Sequence, residues 1–501
     1  MNEPNQDRSL SLIEAIIPIA SLIVLVAASY YLFGDKGAGG PNQVALVVAT
    51  MIAVLVAWRR GFTLDELREA AIASVSSGMG AVFILLAVGA LIGTWAQSGT
   101  LVAMVYYGLQ ILSPNYFYMT TAIICAIVSA SIGSSWTTVG TIGVGLMGVS
   151  NNMEMNPAIT AAAVISGAYF GDTTSPLSDS ANLAAGASGV DLYQHIRETA
   201  LISALALAIA IGVFFLLGSP GDFDASEKTA AIARNVHITP LLFLPLLIVV
   251  GLALLKFPPF TAIFIGALAG GVLAVFVAPD RLIAFADAPG VPHWLALLKG
   301  VWLALAGGYK SSTGFAPIDE LASRGGMESM LNTIWLIITA LAFGGVVEKA
   351  GVLSRLITPV INAAKSTGAL AASLVAAVFT TNVVTADQYM SVILPARMFK
   401  SAFAKRGFAP VVLSRAVGAA ATPTSALIPW NSCGAYMAAT LGVATFSYAP
   451  YAVFNLTSPL IVIAIAYANV RMPRGPAAQE QSVQGQAVKG RGPSMRAEAG
   501  Q

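Results

Sequence analysis

Two aspartates, Asp172 and Asp179, stand seven residues apart in the run from Ser166 to Asn182, interleaved with hydroxyls and one amide. Ser175 and Asn182 belong to the same run. Hard monovalent cations such as sodium take oxygen ligands, and carboxylates, hydroxyls, amides and freed backbone carbonyls supply them. A second polar break, Ala421 to Gly434, offers Thr424, Ser425, Asn431 and Ser432, with Pro423 and Pro429 each expected to break a helix and free carbonyls. A third, Thr380 to Tyr389, carries Asn382 and Asp387, and a fourth, Ser134 to Gly140, carries Ser135 and Thr137. These twelve positions form the candidate ion or substrate site, with Asp172, Asp179, Asp387 and Asn431 as candidate sodium ligands. The alternative is that the same groups only cap broken helices and bind nothing.

The elements that must position them are membrane helices. Lys and Arg number 26 and Asp and Glu 24, making 10% charged against 56% hydrophobic, whereas an ordinary soluble protein is roughly 25% charged. A soluble globule is excluded, and a net charge of +2 provides no basic field for nucleic acid. Cys125 and Cys433 have no spacing that suggests a metal site or disulfide and read as packing residues. A helix needs about 20 apolar residues to cross a bilayer, and eight runs qualify or nearly so. They are Ile13 to Phe33, Val44 to Trp58, Met79 to Trp95, Leu201 to Leu217, Leu241 to Leu255, Phe260 to Val277, Met330 to Val347 and Tyr451 to Val470. The first follows a polar start without a basic n-region or small-residue cleavage site, and reads as an anchor rather than a signal peptide.

Other apolar runs are short or broken, notably Leu101 to Leu112, Tyr116 to Ala130, Val139 to Val149, Ala158 to Phe170, Gly368 to Phe379 and Val411 to Ala420. Breaks at membrane depth are tolerated only where protein or water satisfies the backbone, so they predict re-entrant hairpins and broken helices around a site, as in transporters. Thr63 to Glu66 is a capping box opening a short amphipathic surface helix, Leu64 to Val75. Ser219 to Asn235 and Tyr309 to Gly326 read as polar loops, and Arg471 to Gln501 as a disordered tail. His195 reads as structural, Glu348 and Lys349 as interfacial anchors, and Arg397 as either a carboxylate partner or a cytoplasmic marker.

An internal repeat organises the chain. GTWAQSG at Gly93 to Gly99 matches GVVEKAG at Gly345 to Gly351, 252 residues on. Carried forward without a gap, this offset sets Ser135 on Asp387, Asp172 on Thr424 and Asp179 on Asn431. The loop Val149 to Ala158 has one glutamate and no basic residue, whereas its counterpart Ser401 to Pro410 contains Lys405 and Arg406. Basic residues stay cytoplasmic near spans, so the two loops are expected on opposite sides and the repeats inverted. The resulting division is residues 1–78, N-terminal spans and interfacial helix; 79–200, first repeat; 201–329, connecting spans and loops; 330–445, second repeat; 446–470, last span; 471–501, tail. The fold class is an all-α polytopic membrane protein of two inverted structural repeats with re-entrant hairpins and broken helices.

The stretch GAYFGDTTSPLSDSANLA resembles the signature of the NhaC family of sodium/proton antiporters, which typically reads GAYFGDKMSPLSDTTNLA. Ser134 to Gly140, Ala386 to Ser391, Leu427 to Tyr436, Ser323 to Met327 and His195 to Arg197 also resemble family landmarks, from about Met79 to the last span. The resemblance implies a multi-pass inner-membrane transporter, with a transport domain moving against a scaffold, that exchanges sodium for protons, some members moving small organic anions such as malate against lactate. It puts the motif carboxylates on Asp172, Asp179 and Asp387 and the motif amides on Asn182 and Asn431. Thr173 stands where lysine is common, Thr174 where methionine is common, and Ala416 to Ala421 lacks the acidic pair expected before the proline-tryptophan-asparagine motif.

An intramembrane protease is the contrasting class, because Phe170-Gly171-Asp172 resembles an aspartate motif. Its tyrosine-aspartate partner is missing, and no nucleophile elbow, nucleotide loop or metal helix motif is present. The chain is therefore read as a transporter and not an enzyme, without a cofactor. Its expected partners are sodium ions, protons and the lipid bilayer, with a small organic anion and a homodimer as further expectations. The preferred mechanism is competition of sodium and protons at one buried carboxylate cluster. The alternative is ion-coupled transport of a small organic anion or amino acid.

Overall fold

The computed structural model describes residues 8–218, 225–312, 319 and 322–475. Among them, eight helices are long and apolar enough to cross a membrane, or up to ten if each of two bent helix pairs is one span. No strand forms among the described residues beyond the isolated bridges Tyr309–Arg324 and Phe408–Arg474. Six of the eight expected spans appear as long helices. The other two, Leu241 to Leu255 and Tyr451 to Val470, belong to the pairs bent by 91° and 55°.

Two runs read as too short for spans are corrected. They lie in Pro114–Ile132 and Thr367–Thr385, both continuous and long enough to cross. Their serines and threonines do not break the helix, because Thr120, Ser131, Thr380 and Thr381 return their hydroxyls to carbonyls one turn back. The polar segment before the 91° bend also folds, as the helix Ser226–Asn235; residues 219–224 lie outside the described residues. The start of the expected tail is ordered too. The Ala409 amide donates to the Pro473 carbonyl at 2.9 Å, and the Gly475 amide to Gly407 at 2.9 Å. Glu198 pairs with both Arg415 and Arg471, at 2.9 and 3.1 Å. The rest of that tail, 476–501, lies outside the described residues. The capping box forms as expected, with the Thr63 side chain and Glu66 exchanging hydrogen bonds at the start of Leu64–Ser77.

The same succession of elements occurs twice. Gly99 follows Met79–Ser98 with φ +85°, and Gly351 follows Leu331–Lys349 with φ +76°. The next two stretches differ: Phe117–Ile132 has 16 residues and Thr367–Thr385 has 19, with a shorter linker before it. The net difference is one residue, so beyond this point matching positions are 253 apart rather than 252. Gly133 and Ala386 are both left-handed, at φ +81° and +56°. Ser134 and Asp387 are the following N-caps; Pro157 and Pro410 open the next helices. Ser178 and Asn431 cap the two tip helices Asp179–Ser188 and Ser432–Leu441, which end at left-handed Gly189 and Gly442. The ungapped register is thus corrected: Asp172 faces Ser425 in the comparison, not Thr424; Ser134 rather than Ser135 matches Asp387; and Ser178 rather than Asp179 matches Asn431.

The halves interlock through their tips. Asp179–Ser188 packs on Gln388–Lys405 of the other half, and Ser432–Leu441 packs on the π-helical turn Val139–Gly143. In the first half, Gly167 and Gly171 let Pro157–Thr174 touch Phe117–Ile132, since a Cβ at either would collide with the backbone near Ala122 or Ser129. That close approach brings Asp172 beside the Gly133 break.

Candidate functional site

The first break is built from three elements. Gly133 turns the chain at the end of Phe117–Ile132, so that Ser134 caps a new helix and Ser135 opens it. Asp172 lies in the last turn of Pro157–Thr174 and is buried. Ser135 donates its hydroxyl to Asp172 Oδ2 at 2.7 Å, and Ser178, the cap of the tip helix, donates to Oδ1 at 2.7 Å. Each oxygen of the carboxylate therefore holds one short, charge-assisted hydrogen bond.

Asp172 borders a cavity of about 600 Å³ that Asp179, Asn182, Ser135, Thr137, Asp387 and Ser432 also line. Seven of the twelve candidates thus meet at one space. Lys256, between Leu244–Leu254 and Pro259–Val277, lines it as well. Asp387 is buried, and its carboxylate caps Gln388–Lys405 by accepting the Met390 amide at 2.8 Å. Asp179 and Asn182 are exposed, with Asn182 donating back to the Ser178 carbonyl at 2.8 Å. Among the described residues no three of His, Cys, Asp and Glu gather closely enough to hold a metal ion. The three aspartates are spread around the cavity wall rather than forming one compact cluster.

The remaining candidates lie behind that wall. Asn382 Nδ2 donates to the Ala421 carbonyl and to Thr424 Oγ1, both at 3.0 Å, and its Oδ1 accepts from Ser391 at 2.5 Å and from Asn431 Nδ2 at 3.1 Å. Asn431 Oδ1 in turn caps its helix through the Cys433 amide at 3.0 Å. With each amide group engaged, this network rigidifies the second break. Ser175 ends Pro157–Thr174 and accepts the Leu177 amide at 3.3 Å. Trp430 donates to the Val383 carbonyl at 2.7 Å, and His195 meets Ser414 at 2.8 Å, both as packing residues.

Of the two prolines, Pro429 stands in the break between Pro410–Ser425 and Ser432–Leu441 as expected, and Pro423 does not. Pro423 sits inside Pro410–Ser425 rather than ending it. The Ala419 carbonyl, left without its helical donor, accepts from Ser458 at 2.6 Å, and the Pro423 carbonyl accepts from Asn455 at 2.9 Å. The last span satisfies these two carbonyls, so neither is left over as a ligand.

At the spacing of 253, two contacts are duplicated. Ser129 donates to the Ala168 carbonyl at 2.5 Å, and Asn382, its match, donates to Ala421, the match of Ala168. The Ser135–Asp172 pair corresponds to Gln388–Ser425, where Ser425 donates to Gln388 Oε1 at 3.1 Å. The second half thus keeps the contact but replaces the carboxylate with a hydroxyl. Three residues outside the sequence-derived set, Ser178, Ser180 and Gln388, prove part of the site's hydrogen bonding. Their signal lies in the corrected register, which places Ser178 on a helix cap and Gln388 opposite Ser135.

Comparison with known proteins identifies the family. Residues 167–470 match the model of the Na+/H+ antiporter family. The Na+/H+ antiporter NhaC of Alkalihalophilus pseudofirmus is 36% identical over 432 residues, covering 85% of this chain and 90% of that protein. The chain belongs to the Na+/H+ antiporter family. Within it, the malate-2H+/Na+-lactate antiporter of Bacillus subtilis is 35% identical over 450 residues, covering 88% of this chain and 91% of that protein. The arginine/ornithine antiporter ArcD of Halobacterium salinarum is 32% identical over 470 residues, covering 92% of each. For a family member of this kind, the multi-pass architecture places the chain in the bacterial plasma membrane.

Proposed function

We propose that this antiporter exchanges sodium for protons by letting the two compete at Asp172, with Asp179 and Asp387 holding cations in the adjoining cavity. The observation that carries the proposal is a buried carboxylate at a helix break, held by two hydroxyls at 2.7 Å and open to a cavity of about 600 Å³. A cation beside a carboxylate disfavours its protonation, and a proton on the carboxylate weakens cation binding by the same coupling energy. The serine hydroxyls that donate to the carboxylate keep lone pairs with which to meet a sodium ion. Exchange follows when only an occupied site can reach the other side. The inverted arrangement of the halves, with residues 149–158 outside and 401–410 inside, belongs to the same proposal. Asp172→Asn and Asp179→Asn are expected to abolish sodium-dependent proton movement in proteoliposomes while the protein stays inserted. Wild-type exchange in both variants would remove these residues from the mechanism.

A second reading, ion-coupled exchange of a small organic anion or amino acid, is favoured by the cavity itself. Its volume falls in the range of about 300–1,000 Å³ used by small-molecule sites, and Lys256 places an ammonium among its lining groups. A solute carrying both carboxylate and cation would find partners there. Sodium flux that requires an added organic solute and proceeds without proton counterflow would select this reading.

A further inference from the structure

Gln388 is the first residue of Gln388–Lys405, is buried, and joins three other elements. Its Nε2 donates to Ser180 Oγ in the first half's tip helix at 2.6 Å. Its Oε1 accepts from Ser425 at 3.1 Å and from the Cys433 thiol at 2.8 Å, both in the second half. Ser180 lies in the first turn of Asp179–Ser188, the helix capped by Ser178, which itself donates to Asp172 Oδ1 at 2.7 Å. With its oxygen accepting from the Gln388 amide, Ser180 ties the start of this helix to the other half, and with it the Ser178 hydroxyl on the carboxylate.

We infer that Gln388 is a positioning residue of the ion site: by its bond to Ser180 it fixes the tip helix whose Ser178 cap donates to Asp172, and so sets how tightly Asp172 and its neighbours hold a cation. The inference rests on the reading of Asp172 as the ion-binding carboxylate. Gln388 replaces, in the second half, the serine that touches Asp172 in the first, and its longer side chain reaches across the interface where Ser135 reaches only its own half. The amide is suited to this because it gives a hydrogen bond on one side while taking two on the other. A carboxylate in its place could only accept, and an aliphatic chain could do neither. The tie costs the second half little to lose, since the single hydrogen of Ser425 has the Thr422 carbonyl, at 2.7 Å, as its other acceptor.

The test uses the full chain in proteoliposomes and measures the sodium concentration giving half-maximal proton movement alongside the maximal rate. Gln388→Met, which keeps the length and removes the amide, is expected to raise half-saturation about fivefold, the size of one neutral hydrogen bond. The maximal rate should stay within about twofold. Ser180→Ala should produce a similar shift, and the double variant no more than the larger single shift, because both remove one relay. Multiplying shifts in the double variant would overturn the inference. So would an unchanged half-saturation in Gln388→Met with only a lower melting temperature. Should Gln388→Met not accumulate, Ser180→Ala decides alone, and an unchanged half-saturation there overturns the relay. Wild-type protein that moves no protons with sodium, or Asp172→Asn that still does, would instead strike the reading on which the inference rests.

Discussion

The two halves place equivalent side chains at equivalent turns and fill them with different chemistry. Gly133 and Ala386 reverse the chain alike, Ser134 and Asp387 cap alike, and the contact of Ser135 with Asp172 recurs as Gln388 with Ser425. At the duplicated contact, only the first half carries a charge. The second half spends its polar groups on an amide network of Asn382, Asn431 and Thr424 that is satisfied internally. The difference teaches that the scaffold does not dictate a carboxylate at this turn. A charge at membrane depth costs several kcal/mol unless it is compensated, a cost that Asp172 bears whenever it is ionised and that Ser425 never does.

The sharpest way to break this comparison is to treat the matching residues alike. Asp172→Asn should lower sodium-dependent proton movement by about 100-fold or more, while Ser425→Ala should keep it within about threefold, since the latter removes one neutral hydrogen bond. Equal losses would mean that both turns serve the ion. Asp387 gives an intermediate case, because it is a cap and also lines the cavity. Asp387→Asn preserves capping, as asparagine caps about as well as aspartate, so melting should be nearly unchanged. A fall in transport of about tenfold would then report the charge alone.

The turns themselves supply a smaller contrast. Gly133 has φ +81°, and a Cβ there would stand 2.6 Å from the Leu177 backbone, so Gly133→Ala should destabilise by about 1–3 kcal/mol in detergent melts. Ala386 already carries a Cβ at φ +56°, and Ala386→Gly should change stability by less than about 1 kcal/mol. The relation between the halves is checked by cysteine labelling. A cysteine at Asn152 is expected to react from outside and one at Ala404 only from inside; labelling of both from one side would exclude inversion.

Much of this was legible in the residues. Asp172 and Asp387 stand out because few acids occur inside apolar runs, and Asn431 because it follows a proline and tryptophan within one. Register was less legible, since helix lengths of 16 and 19 residues are not visible in a run of alanine, valine and threonine. One residue of slip then moved every later match. Ser180 and Gln388 could not be singled out from a sequence with many serines, because their contact crosses between the halves, and Ser178 because only the fold brings its cap onto Asp172. Pro423 misled for a related reason: the donors for its freed carbonyls, Asn455 and Ser458, lie in the last span, far along the chain.

The central claim is that sodium and protons share the Asp172 carboxylate, and competition tests it most directly. Proton movement should be followed in proteoliposomes between about pH 6 and 9, a range spanning the change from proton-rich to proton-poor solution, at several sodium concentrations for the wild type and Asp172→Asn. Apparent sodium affinity should fall as pH falls in the wild type, and exchange should vanish in Asp172→Asn. A sodium affinity independent of pH, or pH-dependent exchange that survives Asp172→Asn, would contradict a shared site at this carboxylate.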